Sequence, residues 1–393
     1  MVNGPSAREH LVHASMKICY VIGGLDVGGA ERQLLYLVEA IARRVPVMIV
    51  SLSDSYTKLV PAFRQLPGVD VCTVRKVGRV DPTLLMRLVQ LYRRERPQIV
   101  HTFLRTANYW GRVAAFLAGV PITIASERNI EKERGRVANA LDTALSFYTT
   151  RVVVNAAAIK DSLTMRGVPE RKIHVIRNGV PRAGALLDSE RQQIQQDLGV
   201  DNSDALVVFI GRLFPQKNPM LFIDMAQRVL TAGARCKFAI VGEGPLRSII
   251  ESSIAARGMT RSIMVTGFRQ DVVRILSAAD VLVLTSDWEG MPNVILEALS
   301  SGTPAVATDV GGVRELIVDG SNGYVVPRGD VERLSACVLS MLQNPEIRDR
   351  FGRCGREYVQ KHFSIDRMVD ETAALYNALL YEKRLSPLPG EAA

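Results

Sequence analysis

Histidine and cysteine are scarce in this 393-residue chain, five of each. The cysteines (Cys19, Cys72, Cys236, Cys337, Cys354) are scattered, with no C-x-x-C pair and no histidine cluster. That spacing argues against a structural zinc site and for a reducing compartment. Aromatics make up only 6% and do not interleave with clustered basic residues, so nucleic acid is the weakest of the anionic partners considered below. No run reaches the roughly 18 apolar residues that a spanning helix needs. The first fifteen residues hold no long apolar stretch of the kind a secretory signal carries. Fixed-period repeats and low-complexity segments are also missing. The expectation is a cytoplasmic chain that at most lies on a membrane.

What is present is the composition of an ordinary globular protein, 47% hydrophobic and 23% charged, long enough for two domains with separate cores. Charge is divided unevenly. Residues 1–180 carry 26 Lys and Arg against 14 Asp and Glu, a net of +12, while the remainder, 23 against 26, is at −3. A basic first half points to an anionic partner: phospholipid head groups, a polyprenyl-diphosphate acceptor or, least of the three, nucleic acid.

Both halves alternate short β-like runs with longer helical stretches, the pattern of parallel α/β sheets. The first runs are KICYVIG (17–23), VPVMIVSL (45–52), VDVCTV (69–74), QIVHTF (98–103), PITIAS (121–126) and RVVVN (151–155), with KIHVIRNGV (172–180) closing that half. Residues 181 to about 203 are polar and read as a linker with one helix. A second series follows: ALVVFIG (205–211), CKFAIVG (236–242), SIMVTG (262–267), VLVLTS (281–286) and TPAVAT (303–308). The boundaries expected are a loose tail over 1–15, a first domain over 16–183, a second over 184–362, a last helix over 363–383 and a tail over 384–393. The stretch Thr83 to Arg96 is amphipathic, with Arg87, Arg93, Arg94 and Arg96 flanking leucines. It fits either anionic lipid or the protein's own core.

Chemistry concentrates at strand ends. After VLVLTS comes Asp287-Trp288-Glu289-Gly290-Met291-Pro292-Asn293, then an apolar helix carrying Glu297. The free N–H groups and dipole of that helix start make an anion site. The two carboxylates, with seven residues between them, can accept sugar hydroxyls, although either alone reads as easily as a surface group. After ALVVFIG come Arg212, a planar fork for phosphate oxygens, and Lys217, a mobile point charge. Gly28 and Gly29 lie in a loop between the first strand and its helix, where a missing Cβ lets backbone approach a phosphate. Gly242, Gly267 and Phe268 close strands of the second half, and His101 ends QIVHTF. Glu243 and Glu315 read as structural more than catalytic.

Together these segments resemble the retaining GT-B glycosyltransferases of group 4. The likeness runs from Lys17 to about Tyr381 and rests on GGAERQLLYL, on G-R-L-x-x-x-K at Gly211–Lys217 and on E-x7-E at Glu289–Glu297. It implies two Rossmann-like domains facing one cleft, with the last helix crossing back to the first. It implies catalytic roles for Arg212, Lys217 and Glu289. Donor contacts would come from Gly28, Gly29, Gly242, Gly267, Phe268, Gly290, Met291, Pro292, Asn293 and Glu297. The donor would be a nucleotide sugar, most often a UDP-sugar, with no cofactor and no metal. The acceptor would be a glycan, lipid-linked or part of a growing polysaccharide, with peripheral membrane contact. On the acceptor side the resemblance points to His101, Glu127 and Arg128. Here the chain departs from the family: many relatives carry a histidine near Ser126-Glu127-Arg128-Asn129. Two other readings stay open, a nucleotide-sugar epimerase of the same fold and a non-catalytic nucleotide-sugar scaffold.

Overall fold

The computed structural model describes residues 16–78, 81–130, 135–184, 186–201 and 204–390, with the side chains of 136–138 also left aside. The tail expected over 1–15 lies outside them. Valine, isoleucine and leucine run through the short strands, and most are buried on both faces, as parallel sheets with helices on either side require.

The first sheet holds β1 (Ile18–Ile22), β2 (Val47–Ser51), β3 (Val69–Thr73), β4 (Ile99–Phe103), β5 (Ile122–Glu127), β6 (Arg151–Val154) and β7 (Ile173–Val175). Its spatial order is β3-β2-β1-β4-β5-β6-β7. The second holds β8 (Ala205–Ile210), β9 (Cys236–Val241), β10 (Ile263–Gly267), β11 (Val281–Leu284), β12 (Ala305–Thr308) and β13 (Gly323–Val326), in the order β10-β9-β8-β11-β12-β13. Every pairing is parallel. β13 is an addition to the strands read from the sequence, whose second series ends at TPAVAT. Gly323 begins this strand because a Cβ there would stand 2.3 Å from the Ala305 carbonyl oxygen.

The helix Ile365–Glu382 packs Met368, Ala373, Tyr376 and Leu379 into the core built on β1, β2 and β4, so it returns to the first sheet. The segment beyond it is not loose where it is described. Leu388 is buried in that same core, and its amide donates to Asn377 Oδ1 at 2.8 Å. The helix Pro82–Glu95 turns Leu84, Leu88 and Tyr92 into the core beside Cys19 and Val100. Its leucine face is therefore spent on the protein and not on lipid. A further apolar cluster runs without a break from Val152, Val154 and Ile159 to Leu206, Leu282 and Met291, joining the two sheets.

Candidate active site

In each sheet the strand order reverses once, between β1 and β4 and between β8 and β11. Connections leave such a point in opposite directions and open a crevice above the carboxyl ends of the strands, where ligands of α/β folds bind. The loops singled out from sequence leave β1, β8 and β11, and the two crevices meet. Asn293 Nδ2 donates to the Gly29 carbonyl at 3.0 Å, and Asn178 Nδ2 donates to Asn293 Oδ1 at 2.6 Å. A Cβ on Gly290 would fall 2.1 Å from the Arg128 carbonyl oxygen. Glycine there is a condition of this close approach.

On the second-sheet side, hydrogen bonds stitch the loops after β8 and β11 together. Thr285 Oγ1 lies 2.9 Å from both the Lys217 and Asn218 carbonyls, and the Asp287 amide donates to Gln216 O at 2.8 Å. This brings the Lys217 ammonium onto Glu289 Oε1, which also accepts from Ser286 Oγ at 2.7 Å. Glu289 is buried. Arg212 is exposed, its guanidinium 5.2 Å from the Phe214 ring. The Met291 side chain is buried in the core, leaving only its backbone toward the crevice. Pro292 is the N-cap, and the helix itself runs from Asn293 to Ser301. Gly242 serves packing behind Arg212, since a Cβ there would collide with the Gly211 carbonyl oxygen at 1.9 Å. Gly267 has φ +77°, and a Cβ on it would meet Glu243 Oε1 at 2.6 Å. Phe268 is exposed, with the Lys58 ammonium of the first domain 4.8 Å from its ring.

The first-sheet side differs from expectation at the glycine loop. The space a Cβ would take at Gly28 is filled by Glu31 Oε2 (2.3 Å), and that at Gly29 by Asn293 Nδ2 (2.6 Å). Both glycines thus admit protein groups where a phosphate was expected. Glu31, unassigned from sequence, is the third residue of the helix Gly29–Ile41, where a carboxylate reaches back to the helix start. Burial pushes its carboxyl above the usual range; its own backbone hydrogen bond and the charges of Arg212 and Arg128 pull the other way. Glu297 is also engaged, accepting from Arg32 Nη1 at 3.1 Å across the domains. Burial raises its carboxyl and Arg32 offsets part of that rise. Nothing in the spacing of the sequence pairs residue 32 with 297.

His101 lies within β4. It is buried, with Nδ1 2.6 Å from the Tyr376 hydroxyl and Nε2 2.9 Å from Ser126 Oγ. Both ring nitrogens have hydroxyl partners, and these bonds tie the last helix to β4 and β5. Burial holds it well below the usual histidine range, hence neutral. Glu127 closes β5 and accepts from Asn108 Nδ2 at 2.9 Å. Arg128 donates to Asn178 Oδ1 at 2.7 Å and lies 5.0 Å from the Phe103 ring, while its Nε is buried without a partner. Burial lowers it to about 10, against the pull of Tyr376 and Glu31. Glu243 pairs with Arg247, and Glu315 accepts from the Ala157 amide at 2.6 Å and Arg177 Nε at 2.9 Å. Among the described residues no three His, Cys, Asp or Glu side chains gather as metal ligands would.

Two facing Rossmann-like domains with their switch-point crevices opposed define the GT-B architecture, and comparison with known structures agrees. The chain superposes on Anabaena HepE in complex with UDP-glucose with TM-score 0.83 at 22% identity, over 92% of this chain and 100% of that one. Two family models match consecutive halves: Glycosyltransferase Family 4 at residues 27–183 and Glycosyl transferases group 1 at 190–358. The chain belongs to the group 4 family of GT-B glycosyltransferases, and it is a glycosyltransferase. It is 28% identical to the UDP-Gal:alpha-D-GlcNAc-diphosphoundecaprenol alpha-1,3-galactosyltransferase of Escherichia coli, covering 77% of this chain and 81% of that one. It is 27% identical to the alpha-D-kanosaminyltransferase of Streptomyces kanamyceticus, covering 70% and 74%.

Proposed function

We propose that this enzyme moves a hexose or N-acetylhexosamine from a UDP-sugar to a hydroxyl of a lipid-linked or growing polysaccharide glycan, with retention at the anomeric carbon and without a metal. The observation that carries the reading is the gathering of Lys217, Glu289, exposed Arg212 and the start of the helix Asn293–Ser301 at the meeting of the two crevices. The uridine donor draws support from the relatives, one named for UDP-galactose and one fold neighbour seen with UDP-glucose. The lipid-linked acceptor draws on the diphosphoundecaprenol of the first relative and the basic first half of the chain.

In this reading Glu289 accepts from donor sugar hydroxyls, oriented by its contacts with Lys217 and Ser286. The backbone N–H groups of Gly290, Met291 and Asn293 add donors to hydroxyl and phosphate. The bond from the anomeric carbon to the diphosphate breaks, its electron pair leaves on the phosphate oxygen, and Arg212 and Lys217 stabilise that charge. The acceptor oxygen attacks on the face the diphosphate leaves, and its proton passes to a phosphate oxygen. Ribose hydroxyls take Glu297 in exchange for Arg32. Glu127 and Arg128, at the crevice edge of β5, are the acceptor-side groups, and His101 is not. Proton NMR of the first turnover product tests the stereochemistry. An α-linked product from an α-linked UDP-sugar supports the reading, and a β-linked one overturns retention.

A further inference from the structure

The helix Arg136–Tyr148 is built inside out. Toward the protein it buries Asp142 and Ser146, with Thr149 just beyond, and outward it exposes Leu141 (55%), Ala144, Phe147 (61%) and Tyr148 (65%). The reversal is specified by satisfied polar contacts. Asp142 pairs with Arg112 of the helix Leu104–Ala118, the two side chains only 7% and 3% exposed. Ser146 Oγ donates to Thr143 O at 2.6 Å and Thr149 Oγ1 to Leu145 O at 2.8 Å. Rotating the apolar stripe inward would strand a buried guanidinium, which costs far more than leaving leucine in water. The stripe does not end with the helix. Phe116 (58% exposed) and Leu117 (48%) continue it, the Phe116 ring 4.9 Å from that of Tyr148.

Cations rim this surface. Arg93 Nη2 donates to the Leu117 carbonyl at 3.1 Å, and Arg94 and Arg96 stand exposed in the same turn. On the other side Lys172 Nζ donates to the carbonyls of Ser146, Phe147 and Thr149 at 2.9, 2.7 and 3.0 Å. Glu95, the carboxylate between the arginines, is paired with Lys17 and Arg94. An outward apolar stripe with a positive margin matches one kind of surface, a bilayer whose head groups carry negative charge. A second copy fits less well, because a two-fold contact through this face would bring the basic rims of the two copies together.

We infer that the enzyme docks on anionic phospholipid through Phe116, Leu117, Leu141, Phe147 and Tyr148, with the exposed Arg93, Arg94 and Arg96 at the head groups. This deepens the proposed function, since it gives a lipid-linked acceptor a surface on which to be met. It rests on that reading for its purpose and not for its test. The test is co-sedimentation of the full chain with vesicles of phosphatidylglycerol and phosphatidylcholine, beside vesicles of phosphatidylcholine alone. The wild type should pellet with the first and stay in solution with the second, and added salt should release it. Leu141→Glu combined with Phe147→Glu should lower the bound fraction by at least about tenfold, since each buried methylene of such an anchor counts. Both positions are exposed, so the melting temperature and its response to UDP should stay those of the wild type. Leu141→Ser with Phe147→Ser gives the same reading should the charges disturb folding. A wild type that ignores anionic vesicles, or a double variant that pellets like it, overturns the inference. A lipid-free dimer that the double variant dissolves would overturn it too, assigning the face to a second copy. Loss of vesicle binding with an intact UDP response, or the reverse, separates failure of this inference from failure of the proposed function.

Discussion

At the scale of single residues, Lys217 and Glu289 come from different strand-end loops and are pressed together by backbone bonds around Thr285 and Asp287. A buried pair of this kind adds little net stability, and under the proposed function it stands at the donor sugar. Lys217→Ala or Glu289→Ala should lower turnover by at least about tenfold, roughly 1.4 kcal/mol of barrier. Near-normal rates in either folded variant would remove that residue from the mechanism. Glu31 gives a prediction of another kind. Its carboxyl is raised, so the folded state binds its proton more tightly than the unfolded chain does. Stability from this group is present at acid pH and falls as pH rises from the ordinary carboxylate range through the raised value. Glu31→Gln should therefore melt higher than wild type near pH 7, with the gain vanishing below about pH 4. A variant that melts lower at neutral pH would show that the charge at the helix start outweighs burial.

Among the elements, the helix Ile365–Glu382 explains why His101 is where it is. Tyr376 bonds both His101 of β4 and the Tyr20 hydroxyl of β1, so this helix is fastened to two strands of the first sheet. Tyr376→Phe should cost about 1–3 kcal/mol in a denaturant melt, the usual consequence of leaving a buried polar atom without its partner. Turnover at a temperature where the variant is folded should hardly change. A selective loss of activity would return His101 to the acceptor side. The strands with long β-branched runs, such as VLVLTS and ALVVFIG, were legible because a buried parallel strand needs an unbroken apolar stretch. β13 was not, because four residues behind an Asn-Gly turn carry no periodicity of their own and are ordered by β12. The leucines of Pro82–Glu95 and those of Arg136–Tyr148 look alike in sequence. Only the buried Arg112–Asp142 pair shows that the second helix turns its apolar face out.

For the whole molecule, the fold and the family were readable from strand-end motifs, because the carboxyl ends of strands are where an α/β fold must place its ligand groups. What spacing could not show is contact between the domains. Arg32 on Glu297, Asn293 on Gly29 and Glu315 on Arg177 join residues more than a hundred positions apart. The first two fill sites that the motifs had assigned to the donor. Under the proposed function donor entry displaces protein groups from Glu297 and from the glycine loop, and the nucleotide should register in the stability of both domains. The most direct test is a thermal-shift panel of UDP-, GDP-, ADP- and CMP-sugars without added metal. At about 100 times its Kd, a ligand of the folded state stabilises it by ~2.7 kcal/mol. A shift with UDP-sugars alone is the predicted result. A folded protein unmoved by any of the four classes would contradict the assignment of this cleft to a nucleotide sugar.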